Sequence, residues 1–281
     1  MLEDLVRQHQ QDLLAGARTL NIALGLDSPA AHVERAEREV LDRMLSQLGE
    51  LVGPAARLID CGPFTGLRTA QVLAALERPK AIVLMNRDID PRIFDTLNAK
   101  DSTAEISVAP ATASPSSWDL PAIGSGTSLA VIAGGGLGFL NETERSELFQ
   151  GAAQTLKSGD FLLLTLEHTQ NAAVVEAAYQ EFGQHLVRSC LTRLGKSHGL
   201  EPRIFHHAAS QQVQFGALAQ KDATIQWQDV GCGFKPGDWL AMGAAQQFTT
   251  ETLTPALADF DLEQTWRSGD QWVELVLLKK K

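Results

Sequence analysis

The run Arg57-Leu58-Ile59-Asp60-Cys61-Gly62-Pro63-Phe64-Thr65-Gly66-Leu67-Arg68-Thr69 constrains the fold more than any other stretch. Apolar residues lead to an acid, a glycine-containing loop follows, and a helix opens at about Leu67. A strand that ends this way leaves backbone N–H groups and a helix N-terminus at the carboxyl edge of a parallel sheet. Open α/β folds bind nucleotide-like ligands at that edge. Gly62 and Gly66 lack a Cβ, so they permit close ligand approach and unusual dihedrals. A tight turn without a ligand uses glycine as well, and the pattern alone leaves both open. Phe64 stands where G-x-G-x-x-G has its second glycine, which favours a smaller nucleoside ligand over a dinucleotide.

The flanking sequence decides what kind of sheet this strand joins. Residues 2–24 and 30–52 read as helices around Gly25-Leu26-Asp27-Ser28-Pro29, and Val33, Ala36, Val40, Met44, Leu48 and Leu51 form an apolar stripe on the second. From Arg57 strands and helices alternate: strand 57–60, helix 67–77, strand 81–85, helix 91–99, strand 105–108, strand 128–133, helix 141–156 and strand 161–166. A Ser/Pro-rich link containing Ser114 to Trp118 separates the third and fourth strands. Such alternation predicts an α/β fold with a doubly wound, mostly parallel Rossmann-like sheet. Residues 170–197 then read as one long helix with Gly183 as a candidate break, and 204–243 as a small β-rich insertion. A helix at 250–258 precedes an antiparallel hairpin, Phe260–Arg267 and Trp272–Leu278, on the turn Ser268-Gly269-Asp270. The implied organisation is an N-terminal helical cap at 1–52, a cofactor-binding core at 53–200, a substrate lobe at 201–245 and a closing helix and hairpin at 246–281.

Charge and cysteine usage narrow the partners. A formal net charge of -10, with no basic run but Lys279-Lys280-Lys281, argues against a nucleic-acid partner. Cys61, Cys190 and Cys232 are too scattered for a disulfide framework or a zinc knuckle, which points to a reducing cytoplasm and to no bound metal. The acidic start Met1-Leu2-Glu3-Asp4 lacks a secretory pattern, and no apolar run approaches the ~20 residues of a membrane helix. The chain reads as soluble and cytoplasmic, with no membrane partner. Its oligomeric state is not legible.

Five alternating parallel strands closed by a C-terminal antiparallel hairpin resemble the strand plan of S-adenosylmethionine-dependent methyltransferases. The resemblance implies that the glycine loop cradles the methionine part of the cofactor, while polar residues ending the second and third strands hold ribose and adenine. Several segments are similar to the histidine-specific methyltransferase family of ergothioneine synthesis, over about Arg35 to Lys279. Glu34-Arg35-Ala36-Glu37 with Val40-Leu41 resembles its Thr-Arg-x-Glu and Ile-Leu helix. Asp60-Cys61-Gly62 leading to Arg68-Thr69 is similar to its Glu-Leu-Gly and Lys-Thr. Gly134 to Leu140 resembles its Gly-Ser-Thr-Ile-Gly-Asn-Phe loop, and Ala178-Tyr179-Gln180-Glu181 its Ala-Tyr-Asn-Asp turn. Phe205-His206-His207-Ala208 and Gly237-Asp238 match two further short motifs.

The departures fall on the acceptor site that the resemblance implies. Phe139 stands at the family's substrate asparagine, and Gly243 and Ala245 at its substrate glutamate and serine. Tyr179 is the only tyrosine, so the family's N-terminal tyrosines have no counterpart. Asn86 replaces the second-strand acid, with Asp88 close by, and no third-strand acid stands between Ala109 and Trp118. A site without these groups does not pair an imidazole and an α-carboxylate as the family does.

Methyl transfer asks for a bound sulfonium, a neutral lone pair about 3–3.5 Å from the methyl, and exclusion of water. No nucleophile triad or metal cluster is expected. The candidate cofactor contacts are Asp60, Gly62, Phe64, Thr65, Arg68, Asn86, Asp88 and Gly134. Phe139 and Tyr179 are candidates for the acceptor, and Tyr179 and Glu167 for catalysis, Glu167 by taking the proton of an incoming ammonium. Aromatic faces at Phe64, Phe139 and Tyr179 suit a sulfonium. Phe64 and Phe139 are equally core aromatics at loop ends, Tyr179 has the stronger case through its match to the family turn, and Asp60 is equally a strand-end cap. His168 reads as a junction residue, and His206 and His207, which alternate on a strand, as structural. Three readings stay open: an N-methyltransferase of a small amine or amino acid other than histidine, another displacement on the same sulfonium (cyclisation or aminobutyryl transfer), and a non-catalytic binding protein.

Overall fold

The computed structural model describes residues 32–62, 66–76, 79–86, 92–98, 104–110, 118, 126–133, 136–167, 172–193, 197–227 and 230–281. The helix expected at 2–24 lies outside them. The chain divides into two compact units, residues 33–168 with 248–281 and, among the described residues, 169–247.

The larger unit is built on β1 (Ala55–Cys61), β2 (Ala81–Asn86), β3 (Glu105–Pro110), β4 (Thr127–Ile132) and β5 (Phe161–Glu167), closed by β10 (Phe260–Arg267) and β11 (Val273–Lys280). Their order is β10-β11-β5-β4-β1-β2-β3, with β1 to β5 parallel and β11 antiparallel to both its neighbours. The strand order turns back between β1 and β4, where Cys61 pairs with Ile132. Crossover connections diverge at such a point and leave a crevice at the strands' carboxyl ends.

Both faces are buried, so the strands read as near-continuous apolar runs. Leu58, Ile82, Leu84, Val131 and Leu163 face a layer made by helices α1 (His32–Val52), α2 (Leu67–Ala75) and α3 (Arg92–Asn98). Ile59, Val83, Ala130, Ile132 and Leu164 belong to the opposite layer, with α4 (Glu142–Thr155) and Trp118. The α1 stripe is shifted from the expected one: Leu51 is exposed, whereas Glu37, Leu41 and Val52 are buried with Val40, Met44 and Leu48. The helix thus turns a carboxylate toward the sheet. A capping box starts α4, Asn141 and Glu144 exchanging backbone-to-side-chain bonds of 2.9 and 2.8 Å. The helix expected over 250–258 is a single α turn, α6 (Thr250–Leu253), followed by a 3-10 turn through Pro255.

The smaller unit contains α5 (Ala172–Arg193), β6 (Ser197–His207), β7 (Gln212–Trp227), β8 (Val230–Phe234) and β9 (Trp239–Gln246). The four strands form an antiparallel sheet in which β7 pairs with all three others. Helix α5 groups with this sheet. Gly183 does not break α5, which runs through it. A Cβ there would stand 2.6 Å from Ile204 Cγ1 and 2.7 Å from Phe215 Cδ1, so the glycine lets the helix lie close on β6 and β7.

This close approach generates a test. Alanine at an exposed helical glycine stabilises by about 1 kcal/mol. Gly183→Ala is expected to do the opposite and destabilise by about 1–3 kcal/mol, the usual cost of overpacking. The denaturation midpoint of the variant checks it, and a raised midpoint would show that α5 does not lie so close on β6 and β7.

Candidate functional site

At the carboxyl end of β1 the alternation that puts Leu58 toward α1 and α2 puts Asp60 there too. Asp60 is 1% exposed. Thr69 Oγ1, from the first turn of α2, donates to Asp60 Oδ2 at 2.7 Å. One residue back, Arg68 Nε donates to Glu37 Oε2 on α1 at 2.8 Å, and Glu37 Oε1 accepts from the Thr165 hydroxyl of β5. Glu37 and Thr165 are as deeply buried as Asp60. The network therefore ties α1, β1, α2 and β5 together under the loop of the crevice. A charged residue on an apolar helical stripe and a lone hydroxyl in Leu162-Leu163-Leu164-Thr165-Leu166 are the sequence signals that could have found Glu37 and Thr165.

Asp60 keeps one atom open. Its Oδ1 is inaccessible and accepts no hydrogen bond from the described residues. Burial, first, pushes the Asp60 carboxyl above the ordinary carboxylate range; Arg68 and the Thr69 bond pull it down, and Glu37 pushes it up again. The thiol of Cys61, next along, is pushed well up by burial and then by the Asp60 charge, so it stays protonated and unreactive.

The loop itself is shaped by two glycines with left-handed φ, Gly62 at 102° and Gly66 at 75°. Gly62 N–H returns to Met85 O at 3.0 Å, which anchors the loop to the end of β2. Gly66 begins α2 without a side-chain cap. Its glycine has a neighbour other than a ligand, since a Cβ would meet Ile93 Cγ1 of α3 at 2.4 Å. The uncapped first turn of α2 leaves backbone donors suited to an anion.

The other expected residues are distributed as follows. Phe64, Thr65, Asp88, Gly134 and His168, and the side chain of Asn86, lie outside the described residues. Asn86 ends β2 opposite Pro110. Glu167 ends β5, 8% exposed, and its register partner is Val273. Phe139 is half-buried at the end of a 3-10 turn, Gly136–Phe139, that follows β4. Arg68 is engaged by Glu37. Tyr179 belongs to the smaller unit, 6% exposed, with its ring centroid 5.7 Å from that of Phe215. Gly243 and Ala245 lie on β9 opposite Phe215 and Val213. Among the described residues no cluster of His, Cys, Asp or Glu could hold a metal ion, and no helix is long and apolar enough to cross a membrane.

A family model described as histidine-specific methyltransferase, SAM-dependent, matches residues 27–280. The chain belongs to this family. It is an S-adenosylmethionine-dependent methyltransferase, and S-adenosylmethionine is its cofactor. A search of curated proteins gives no match. Among solved structures it is similar to a Burkholderia thailandensis 1,6-didemethyltoxoflavin-N1-methyltransferase with bound 1,6-didemethyltoxoflavin and S-adenosylhomocysteine. The identity is 13%, 98% of this chain and 90% of that one are covered, and the TM-score is 0.53. A Clostridium acetobutylicum S-adenosylmethionine-dependent methyltransferase is 8% identical over 86% of this chain and 91% of its own, with a TM-score of 0.51. The Streptomyces davawensis N,N-8-amino-8-demethyl-D-riboflavin dimethyltransferase is 15% identical over 90% of this chain and 56% of its own, at 0.51. Likeness at these identities carries the methyltransferase fold.

The methyltransferase's buried ion pair is open to direct test. Glu37→Gln leaves the Arg68 guanidinium facing a neutral amide, and removing one partner of a buried pair costs about 3–5 kcal/mol. Thermal or urea unfolding of the variant should show a loss of that order, and a loss under about 1 kcal/mol would mean that water screens the pair.

Proposed function

We propose that this chain is an N-methyltransferase acting on a small amine or amino acid other than histidine, in the cytoplasm. The observation that carries the cofactor part is the open Asp60 Oδ1, an inaccessible carboxylate oxygen with an unused lone pair at the crevice between β1 and β4. An ammonium group is the partner such an atom lacks, and the amino end of S-adenosylmethionine has one. The uncapped first turn of α2 suits its carboxylate, and Gly62 brings no side chain of its own. The bound cofactor supplies a methyl group on a sulfonium, open to in-line displacement by a neutral amine.

The acceptor reading rests on what replaces the family's polar groups. Ala245 is 2% exposed and Gly243 is its neighbour on the same face, opposite the fully buried Val213 and Phe215. Phe139, in the larger unit, is half-buried. An apolar wall does not pair an imidazole, and a polar group buried without its partner costs about 1–3 kcal/mol, which sets the discrimination against histidine. Tyr179, which is aromatic and buried against Phe215, remains to meet the acceptor, and Glu167 as a base at the end of β5.

Asp60→Asn separates stability from binding. A carboxyl whose folded pKa is raised holds its proton more tightly folded than unfolded, so stability falls as pH rises from about 4 through the folded value. The charge is therefore a cost at pH 7. The variant should unfold at a higher denaturant midpoint than the natural protein at pH 7, and the gain should vanish toward low pH. Its calorimetric affinity for S-adenosylhomocysteine should fall about 10–100-fold, as expected for losing a hydrogen bond between charged groups. Unchanged affinity would place the cofactor's ammonium elsewhere.

A competition assay decides the acceptor. Histidine offered beside apolar amines and amino acids should be left unmethylated, and efficient trimethylation of histidine would overturn the reading. Product formed from the cofactor alone would favour cyclisation or aminobutyryl transfer instead, a reaction for which the replacement of the family's acceptor-binding groups speaks.

A further inference from the structure

The buried network under the crevice joins two carboxylates and one guanidinium. Glu37 is 3% exposed, Asp60 1%, and the Arg68 side chain 12%. Charges at this depth are screened little by salt, so the way they are paired sets the local field. Arg68 Nε and the Thr165 hydroxyl donate to Glu37, and the Thr69 hydroxyl donates to Asp60. The cation thus bonds the acid on α1, and the acid that ends β1 receives a neutral hydroxyl.

Helix geometry produces this division. Arg68 and Thr69 are neighbours in the first turn of α2, so their side chains leave the helix about 100° apart. Thr69 meets β1, and Arg68 meets α1. Glu37 is held in its turn by Thr165 of β5. Burial is the largest influence on the Asp60 carboxyl and raises it; the Arg68 charge comes next and pulls it down, and Glu37 pushes it up again. Arg68 and Glu37 therefore both act at Asp60, with opposite sign. Glu37 cancels part of the positive field that Arg68 lays there.

A cation set against Asp60 Oδ1 meets the same fields with the signs reversed: Arg68 repels it and Glu37 attracts it. Thr69 occupies Oδ2, and Oδ1 accepts nothing from the described residues. We propose that Glu37 is a positioning residue for the cofactor's ammonium, neutralising Arg68 so that Asp60 meets the ammonium with its full charge. This role rests on the reading that the ammonium binds Asp60. It also accounts for a carboxylate on the buried side of α1, among Leu41, Met44 and Leu48, where packing alone favours another apolar side chain.

Two nucleosides isolate the ammonium in calorimetric titrations of the full chain. Decarboxylated S-adenosylhomocysteine keeps the ammonium and lacks the carboxylate, and 5′-methylthioadenosine lacks both. The ratio of their affinities reads the ammonium's contribution, whereas a general loosening of the site weakens both and leaves the ratio alone. Glu37→Gln, neutral and of the same shape, should lower the ratio at least ~10-fold, the scale of one uncompensated charge at short range in an effective dielectric of about 20. Glu37→Gln/Arg68→Gln removes the uncompensated guanidinium as well and should recover most of the ratio. The double variant replaces the buried pair instead of breaking it, which spares its fold. Sucrose in the titrations favours the compact state of both variants. An unchanged ratio in Glu37→Gln, or a lowered ratio that the double variant does not recover, would overturn the proposal. If only the double variant folds, a ratio more than ~10-fold below that of the natural protein overturns it too. Asp60→Asn tells the two readings apart. If it lowers the ratio and Glu37→Gln does not, the ammonium site stands and Glu37 has no part in it. If neither lowers the ratio, the ammonium lies elsewhere and both readings fall.

Discussion

The larger unit depends on how its strand β1 ends. An acid, a glycine and a helix start follow one another within ten residues, and the acid is buried with one oxygen satisfied and one open. A carboxylate in that position is expensive, because burial raises the free energy of its charged form more than Arg68 and Thr69 lower it. The surrounding residues make sense as a response to this cost. Thr69 bonds the used oxygen, Arg68 lends its positive charge, and Glu37 orients Arg68 while itself being held by Thr165. Four elements are fastened by this chain of bonds.

A strained or costly feature persists only when the rest of the structure over-determines it, and functional sites are where such features gather. The ordering of charges here fits a site prepared for a cation. Methyl transfer from a sulfonium involves little covalent work by the protein, so preparation of the cofactor site and exclusion of water are the parts the fold can contribute.

The smaller unit obeys a different logic. Its sheet is antiparallel, with one face covered by α5 and the other carrying the exposed Phe205 beside Trp239 at 5.0 Å between ring centroids. Its covered face mixes an apolar wall with the bonded pair of His206 and Gln247. Substrate choice within a family changes most readily in such a unit, because side chains on a sheet face can be exchanged without disturbing the cofactor-binding strands. Gly243 and Ala245 stand on this sheet, opposite Phe215 and Val213.

Sequence alone determined the parallel core, because its strands are buried on both faces and so appear as short apolar runs separated by helical periodicity. The C-terminal hairpin, the turn at Ser268-Gly269-Asp270 and the family resemblance were legible for the same local reasons. Asp60 was legible as a candidate from its place before a glycine turn. What it does was not, since its proximity to Glu37 joins residues distant along the chain. Tertiary packing decided that Arg68 turns to Glu37, that Gly66 makes room for Ile93, and that Gly183 brings α5 against β6 and β7 instead of ending it. A glycine looks the same in sequence whether it serves a turn, a ligand or a neighbouring helix. Only the neighbour's position tells them apart. The pairing of His206 with Gln247, 41 residues apart, is likewise a consequence of strand register, which no local pattern encodes.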